Sequence, residues 1–123
     1  NRQTCMEHIS RILKPKGRFI LHIHNYWYNL YDPGGPKWLI GNWFKSLFSS
    51  RVERGDRHFS YRGVPNMFLH VFRYREIKKA LAKAGLRIER TVPLHAKRQK
   101  PLSKPWLWRD LRANGWIFVI RHR

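Results

Sequence analysis

The stretch "RFILHIHN" ends on three polar side chains, His22, His24 and Asn25, at the close of an apolar run. In open α/β sheets ligands sit at the carboxyl ends of strands, so His24 and Asn25 are placed to wall a substrate pocket. A histidine there titrates near neutral pH and can serve as a general base. The plainer alternative is that His22 and His24, sharing parity, hydrogen-bond to neighbouring helices, and His22 is read as structural. A second cluster lies in "GDRHFSYRGVPN", which crowds Asp56, Arg57, His58, Tyr61, Arg62 and Asn66 into a short segment. Residues 51–66, which include it, read as an irregular loop, either folded over a substrate or simply solvated.

Trp27, Tyr28, Tyr31, Trp38, Trp43 and Phe44 set stacking surface beside many cations. That combination suits single-stranded nucleic acid, an interfacial helix in lipid headgroups, or a small core packed over the sheet. Lys97, Arg98, Lys100 and Lys104 form a basic run, a solvated tail or a phosphate contact. The candidates for the substrate pocket are therefore His24, Asn25, Trp27, His58, Tyr61, Arg62 and Asn66. Those for anion or nucleic-acid binding are Lys97, Arg98, Lys100 and Lys104. His8, His58 and His70 lack metal-ligand spacing and the carboxylates lack a partner cluster, so no metal site is expected.

The elements that must position these groups follow from periodicity. Cys5, Met6, Ile9, Ile12 and Leu13 recur at helical spacing, with Cys5 expected as a buried thiol. Pro15 and Gly17 end that helix near Lys14 in a turn. Residues 18–24 are apolar at both parities, which predicts a parallel strand covered by helices on both faces. The aromatic insertion, about residues 26–66, contains the turn signal "DPGGP" and a short helix over 37–48. That helix is expected to carry Trp38, Leu39, Trp43, Phe44 and Leu47 on one side. "MFLHVF" then leads into a helix with Ile77, Ala80, Leu81 and Ala84 on its apolar face and Gly85 as its cap. "LRIERTVPL" reads as a strand with Leu86, Ile88 and Val92 inward, and "WIFVIRHR" as a final strand antiparallel to it.

With 123 residues and an apolar share of 42%, the chain fits one domain with a modest core. Its 26 Lys and Arg against seven carboxylates give +19, which attracts polyanions unless an acidic partner segment balances it. Cys5 is the sole cysteine, which excludes an intrachain disulfide. The polar opening "NRQT" is no signal peptide, and no run approaches the ~20 apolar residues of a bilayer span, so the expected compartment is the cytoplasm.

Three phrases carry a family resemblance. "HISRILKPKGRFILHIHN" resembles the helix, turn and fifth strand of class I S-adenosylmethionine-dependent methyltransferases of the type 11 kind. Lys16 stands where that family has Gly, which points to a type I rather than a type II turn. "FRYREIKKALAKAGLRIER" is similar to the family's next helix and sixth strand, and "GWIFVIRHR" to its seventh, antiparallel strand, which lies between the fifth and sixth. The resemblance implies an α/β fold: the C-terminal half of a Rossmann-like doubly wound sheet. Its three strands, the last antiparallel, would carry flanking helices and the aromatic insertion in a single partial domain over residues 1–123. It implies a methyltransferase whose first four strands are missing here, with S-adenosylmethionine bound mainly by that N-terminal half. The family's Gly-rich turn and ribose-binding acid have no counterpart: Gly34 and Gly35 sit between prolines with no strand before them. The chain alone is thus expected to hold no cofactor site and to be inactive, its methyl acceptor a small molecule, lipid or RNA. The alternative is a non-enzymatic basic module that binds RNA or anionic lipid.

Overall fold

The first helix, α1, spans Arg2–Ile12 in the computed structural model, which describes residues 1–97 and 100–123. The Asn1 side chain accepts from the Gln3 N–H and caps it. In the turn that follows, the Gly17 N–H donates to the Lys14 carbonyl at 2.8 Å. Lys16 keeps a negative φ, so the turn is not type II, as its side chain leads one to expect. Then come β1 (Phe19–His24), a 3-10 helix (Tyr26–Tyr31), α2 (Gly35–Phe48), β2 (Asp56–Tyr61) and β3 (Val64–His70). The chain continues through α3 (Tyr74–Lys83), β4 (Leu86–Pro93), the four-residue α4 (Arg109–Arg112) and β5 (Gly115–His122).

The molecule is a mixed α/β protein with one sheet of three strands and one of two. The larger sheet has the order β1-β5-β4, and β5 runs antiparallel to both neighbours. β1 and β4 are therefore parallel to each other, which requires a crossover, and α3 supplies it. The strand order and the direction of the last strand agree with the sequence reading.

The core lies on one face of this sheet. Phe19, Leu21 and Ile23 of β1 are in register with Ile120, Phe118 and Trp116 of β5. They pack with Met6 and Ile9 of α1 and its C-cap Leu13, with Ile77 and Leu81 of α3 and its C-cap Ala84, and with Leu86 and Ile88 of β4. Gly85 caps α3 at φ 73°, a left-handed position that glycine adopts without strain.

Several expectations are corrected. β1 is not buried on both sides: α1 and α3 share one face, leaving Ile20 68% exposed and His22 in solvent on the other. Cys5 is exposed, and so is Ile12, because the buried face of α1 is narrow and runs through Met6. Val92 does not share the face of Leu86 and Ile88. A bulge at Glu89 shifts the register between Ile88 and Arg90 and turns Val92 toward Ile117 on the opposite face. Glu89 is held there by Arg18 at 2.6 Å and Arg121 at 3.3 Å.

Residues 56–66 are not an irregular loop, although 51–55 lie outside helix and strand, and "MFLH" belongs to a strand. β2 and β3 form a hairpin with Tyr61 opposite Val64, joined through Arg62 and Gly63 at φ 48° and 82°. Two successive positive φ values in a two-residue loop make the tight turn whose twist matches paired strands. The hairpin is stapled to α2 by the buried Asn42. Its Oδ1 accepts from the Gly55 N–H at 2.9 Å, and its Nδ2 donates to the Asp56 carbonyl at 3.2 Å. On α2 itself, Leu39 and Asn42 are buried while Trp43, Phe44 and Leu47 face solvent, so the expected apolar side is split in two. Leu39, Tyr26 and Val71 form a second small core with Trp38 and Leu69.

Candidate functional site

The end of β1 opens into a cavity of about 430 Å³. His24 and Asn25 line it from the strand end; Tyr28, Asn29 and Asp32 from the 3-10 helix and its exit. Arg57, Phe59 and Tyr61 of β2, with Met67 and Leu69 of β3, form the facing wall, and Asn114 closes it beside β5. The period of two puts Arg57, Phe59 and Tyr61 on one side of β2 and His58 on the other.

Arg57 is the fixed charge of the cavity. Its guanidinium donates to the Asn29 Oδ1 and, at 3.2 Å, to the Asp32 Oδ2. It also stands 5.5 Å from the centroid of the Trp38 ring and 6.0 Å from that of Phe59, an arrangement with cation–π attraction. Opposite charge within the wall leaves the site polar without a large net field. Below it, burial pushes the Tyr26 phenol above its ordinary value against the pull of Arg54 and Arg73, so the hydroxyl stays neutral.

Asn25 lines the cavity, but its side chain is committed to the fold. The Nδ2 donates to the carbonyls of Asp110 at 2.6 Å and Ala113 at 2.8 Å, and the Oδ1 accepts from the Trp27 N–H at 3.2 Å. It thereby caps the 3-10 helix and ties it to α4. Asn25→Ala is expected to cost roughly 2–3 kcal/mol, because two carbonyls lose their donor in a buried setting. A urea midpoint unchanged from the parent would refute this role.

Asn114 offers the complementary case. Its backbone is fully used, accepting from the Asn25 N–H and donating to the Leu94 carbonyl, each at 3.0 Å. Its Oδ1 is buried and finds no hydrogen-bond partner among the described residues. Buried acceptors in native proteins are nearly always paired, and this one belongs to a residue that lines the cavity. His24, 5.3 Å from the His22 ring, is the group at this strand end with proton-transfer chemistry.

Of the residues selected from sequence, His24, Asn25 and Tyr61 meet at the cavity. Trp27 borders a separate cleft with Arg73, Tyr74 and Asp110. His58 is exposed against Phe68 on the far side of the hairpin. Arg62 lies over the Tyr61 ring at the hairpin turn, and Asn66 is exposed at φ 55°. The residues missed were Asn29, Asp32, Phe59, Met67, Leu69, Val71 and Asn114, and Tyr28 and Arg57 were noticed but not selected for the pocket. The alternation of Arg57, Phe59 and Tyr61 was the signal available for the facing wall.

Lys97 and Lys100 are exposed on a loop closed by a bridge between Leu94 and Pro101, and Lys104 is exposed beyond it. Arg98 lies outside the described residues. The Arg112 guanidinium pins the following segment through the carbonyls of Ser103, Lys104 and Leu107. Among the described residues, six of the seven carboxylates, all but Glu7, face a cation or His70. Most of the Lys and Arg excess is therefore left to solvent or to a partner.

The paired glycines do not form a strand-to-helix turn. Gly34 and Gly35 follow a 3-10 helix rather than a strand, and they open α2. A Cβ on Gly35 would fall 1.7 Å from the Asn29 carbonyl oxygen, so this glycine serves close packing of the chain on itself. Comparison with known proteins returns nothing further: no family model, no curated protein and no solved structure matches the chain. No helix among the described residues is long and apolar enough to cross a membrane.

Proposed function

We propose that this chain is the substrate-side, C-terminal half of a class I S-adenosylmethionine-dependent methyltransferase. One observation carries the reading. The last strand, β5, lies antiparallel between β1 and β4, which is the arrangement the resemblance implies for the seventh strand between the fifth and sixth. The cavity at the carboxyl end of β1 fits this, since ligands of open α/β sheets bind there. S-adenosylmethionine would supply an activated methyl group on sulfonium, held by residues upstream of Asn1 in the reading frame.

The part of this chain is to hold the acceptor. Methyl transfer is dominated by in-line positioning, for which a walled cavity at a strand end is suited. Phe59, Tyr61, Met67 and Leu69 give it an apolar side, and Arg57 an oriented charge. On this reading Asn114 Oδ1 accepts from the acceptor's N–H or O–H and His24 receives its proton; both residues line the cavity.

The test is a binding comparison. By calorimetry, the 123-residue chain is expected to show no saturable binding of S-adenosylmethionine at micromolar concentration. The product of the frame extended upstream, carrying a Gly-rich strand-to-helix turn, is expected to bind it. Micromolar binding by the short chain would overturn the division of labour. An upstream frame with no such turn, or an extended product that does not bind, would overturn the methyltransferase reading. A second reading, attachment to an anionic surface without catalysis, is favoured by the +19 charge together with exposed Trp and Phe side chains.

A further inference from the structure

Helix α2 has two apolar faces where packing requires one. Gly35, Leu39 and Asn42 are buried against the 3-10 helix and the hairpin. On the other side Ile40, Trp43, Phe44, Leu47 and Phe48 follow one another at positions i, i+3, i+4, i+7 and i+8, the spacing of a single helical stripe. All five are exposed, from 42% at Trp43 to 85% at Phe48. A contiguous patch of large apolar side chains is uncommon on a protein surface and marks an interaction site. The Trp43 and Phe44 rings meet edge-on with centroids 4.9 Å apart, which fixes the centre of the stripe.

The charge around this stripe narrows the partner. From Pro33 to Val52 there is no carboxylate, and Lys37, Lys45 and Arg51 are present. At 100° per residue, Lys37 falls in line with Phe44 and Phe48, one turn and more before them, and Lys45 lies about 60° beyond Phe48. A second copy of the chain would bring another +19 against the first. Single-stranded RNA would gain from Trp43, Phe44 and Phe48, but Ile40 and Leu47 have no ring on which a base can stack. An amphipathic helix with Trp, Phe and Leu on one face and lysines beside it is the pattern that lies in the plane of a bilayer surface. Its lysine stems can run along the apolar boundary while the ammonium groups reach headgroup phosphates.

We propose that α2 is a docking surface for an anionic lipid bilayer, with Ile40, Trp43, Phe44, Leu47 and Phe48 entering the headgroup–acyl boundary. The inference stands apart from the proposed methyl transfer. It uses neither the cavity nor the strand order.

Co-sedimentation of the 123-residue chain with phosphatidylcholine vesicles, with and without phosphatidylglycerol, tests it. Binding is expected to be more than about tenfold tighter on the anionic vesicles, since each cation near such a surface adds attraction. The double variant Phe44→Ser, Leu47→Ser removes exposed groups only. It should keep the parent's circular dichroism and lose about tenfold or more in vesicle affinity. Lys37→Glu with Lys45→Glu should weaken binding on anionic vesicles and leave the residual binding to neutral ones unchanged. Unaltered vesicle binding by the serine variant would overturn the proposal, because general charge would then explain it. So would a parent that ignores vesicles but binds polyuridylate with quenched tryptophan fluorescence. A parent that ignores vesicles and instead doubles its mass in solution, reverting in the serine variant, would equally overturn it.

Discussion

Trp116→Ala is expected to be the most damaging single truncation in the chain, costing about 3–5 kcal/mol. Trp116 is fully buried at the start of β5, in register with Ile23 of β1. Its ring meets Tyr74 of α3 edge-on at 5.8 Å and stacks with Phe118 at 6.2 Å, so it joins both edges of the sheet to the crossover helix. A small domain has only about 5–15 kcal/mol to lose, and the truncation takes a large share of it. Trp116→Phe should behave very differently. The indole Nε1 is buried without a hydrogen-bond partner, and removing an orphan donor offsets part of the lost packing. The effect extends to the cavity, because Gly115 beside it crosses β1 so closely that a Cβ would fall 2.4 Å from the Ile23 carbonyl oxygen. Loosening β5 therefore loosens the strand end that carries His24. Urea unfolding measures both variants. A Trp116→Ala protein within about 1 kcal/mol of Trp116→Phe would refute the argument, since the truncation term alone should separate them by more.

The large sheet could be read from the sequence because its elements announce themselves locally. Pro15 and Gly17 end α1, Gly85 ends α3, and the apolar runs between such punctuation have nowhere else to go. The hairpin was hidden because its pattern is broken. Pro65 sits inside β3, Asn66 takes a positive φ opposite a register shift, and Arg62–Gly63 is not among the commonest turn pairs. With the hairpin unseen, most of the facing wall of the cavity was unseen too, Tyr61 being its one selected residue. Only the β1 side, His24 and Asn25, was found by reasoning from the strand end. Periodicity failed differently on α2 and at Val92. A helical stripe says which residues share a face but not whether that face is covered, and a bulge changes parity without altering composition. The two-sided burial expected of β1 failed for the same reason as α2: an apolar residue such as Ile20 records what could be covered, not what is.

His70→Leu is expected to release the hairpin from the body of the protein, at a cost of about 3 kcal/mol. The imidazole is buried between two carboxylates: Nδ1 stands 2.7 Å from Asp56 Oδ1 and Nε2 3.0 Å from Glu76 Oε1. Because the two carboxylates lie on opposite sides of the ring, they do not converge on one ion. Around them, Arg2 of α1 bonds Glu53, reaches Glu76 Oε1 at 3.8 Å and covers the Phe72 ring, while Arg73 Nε lies 3.8 Å from Glu76 Oε2. The node thus links α1, β2, β3 and α3, and through β2 and β3 it sets the wall that carries Arg57, Phe59 and Met67. Burial opposes ionisation of Glu76, but the hydrogen bond from His70, the charges of His70 and Arg2, and a backbone hydrogen bond at Arg73 together hold its carboxyl below the ordinary value of 4.5. A carboxylate lowered in the folded state stabilises above its unfolded value and loses that contribution as pH falls through the folded one. The melting temperature should therefore drop as pH goes below 4.5, and Glu76→Gln should flatten that drop while lowering stability near neutrality. In His70→Leu, the Val71 amide that donates to the Gly55 carbonyl at 2.9 Å should exchange its hydrogen far faster than the amides of β5. Equal acid slopes for the parent and Glu76→Gln, or a Val71 amide as protected as before, would show that the hairpin is held by apolar packing instead.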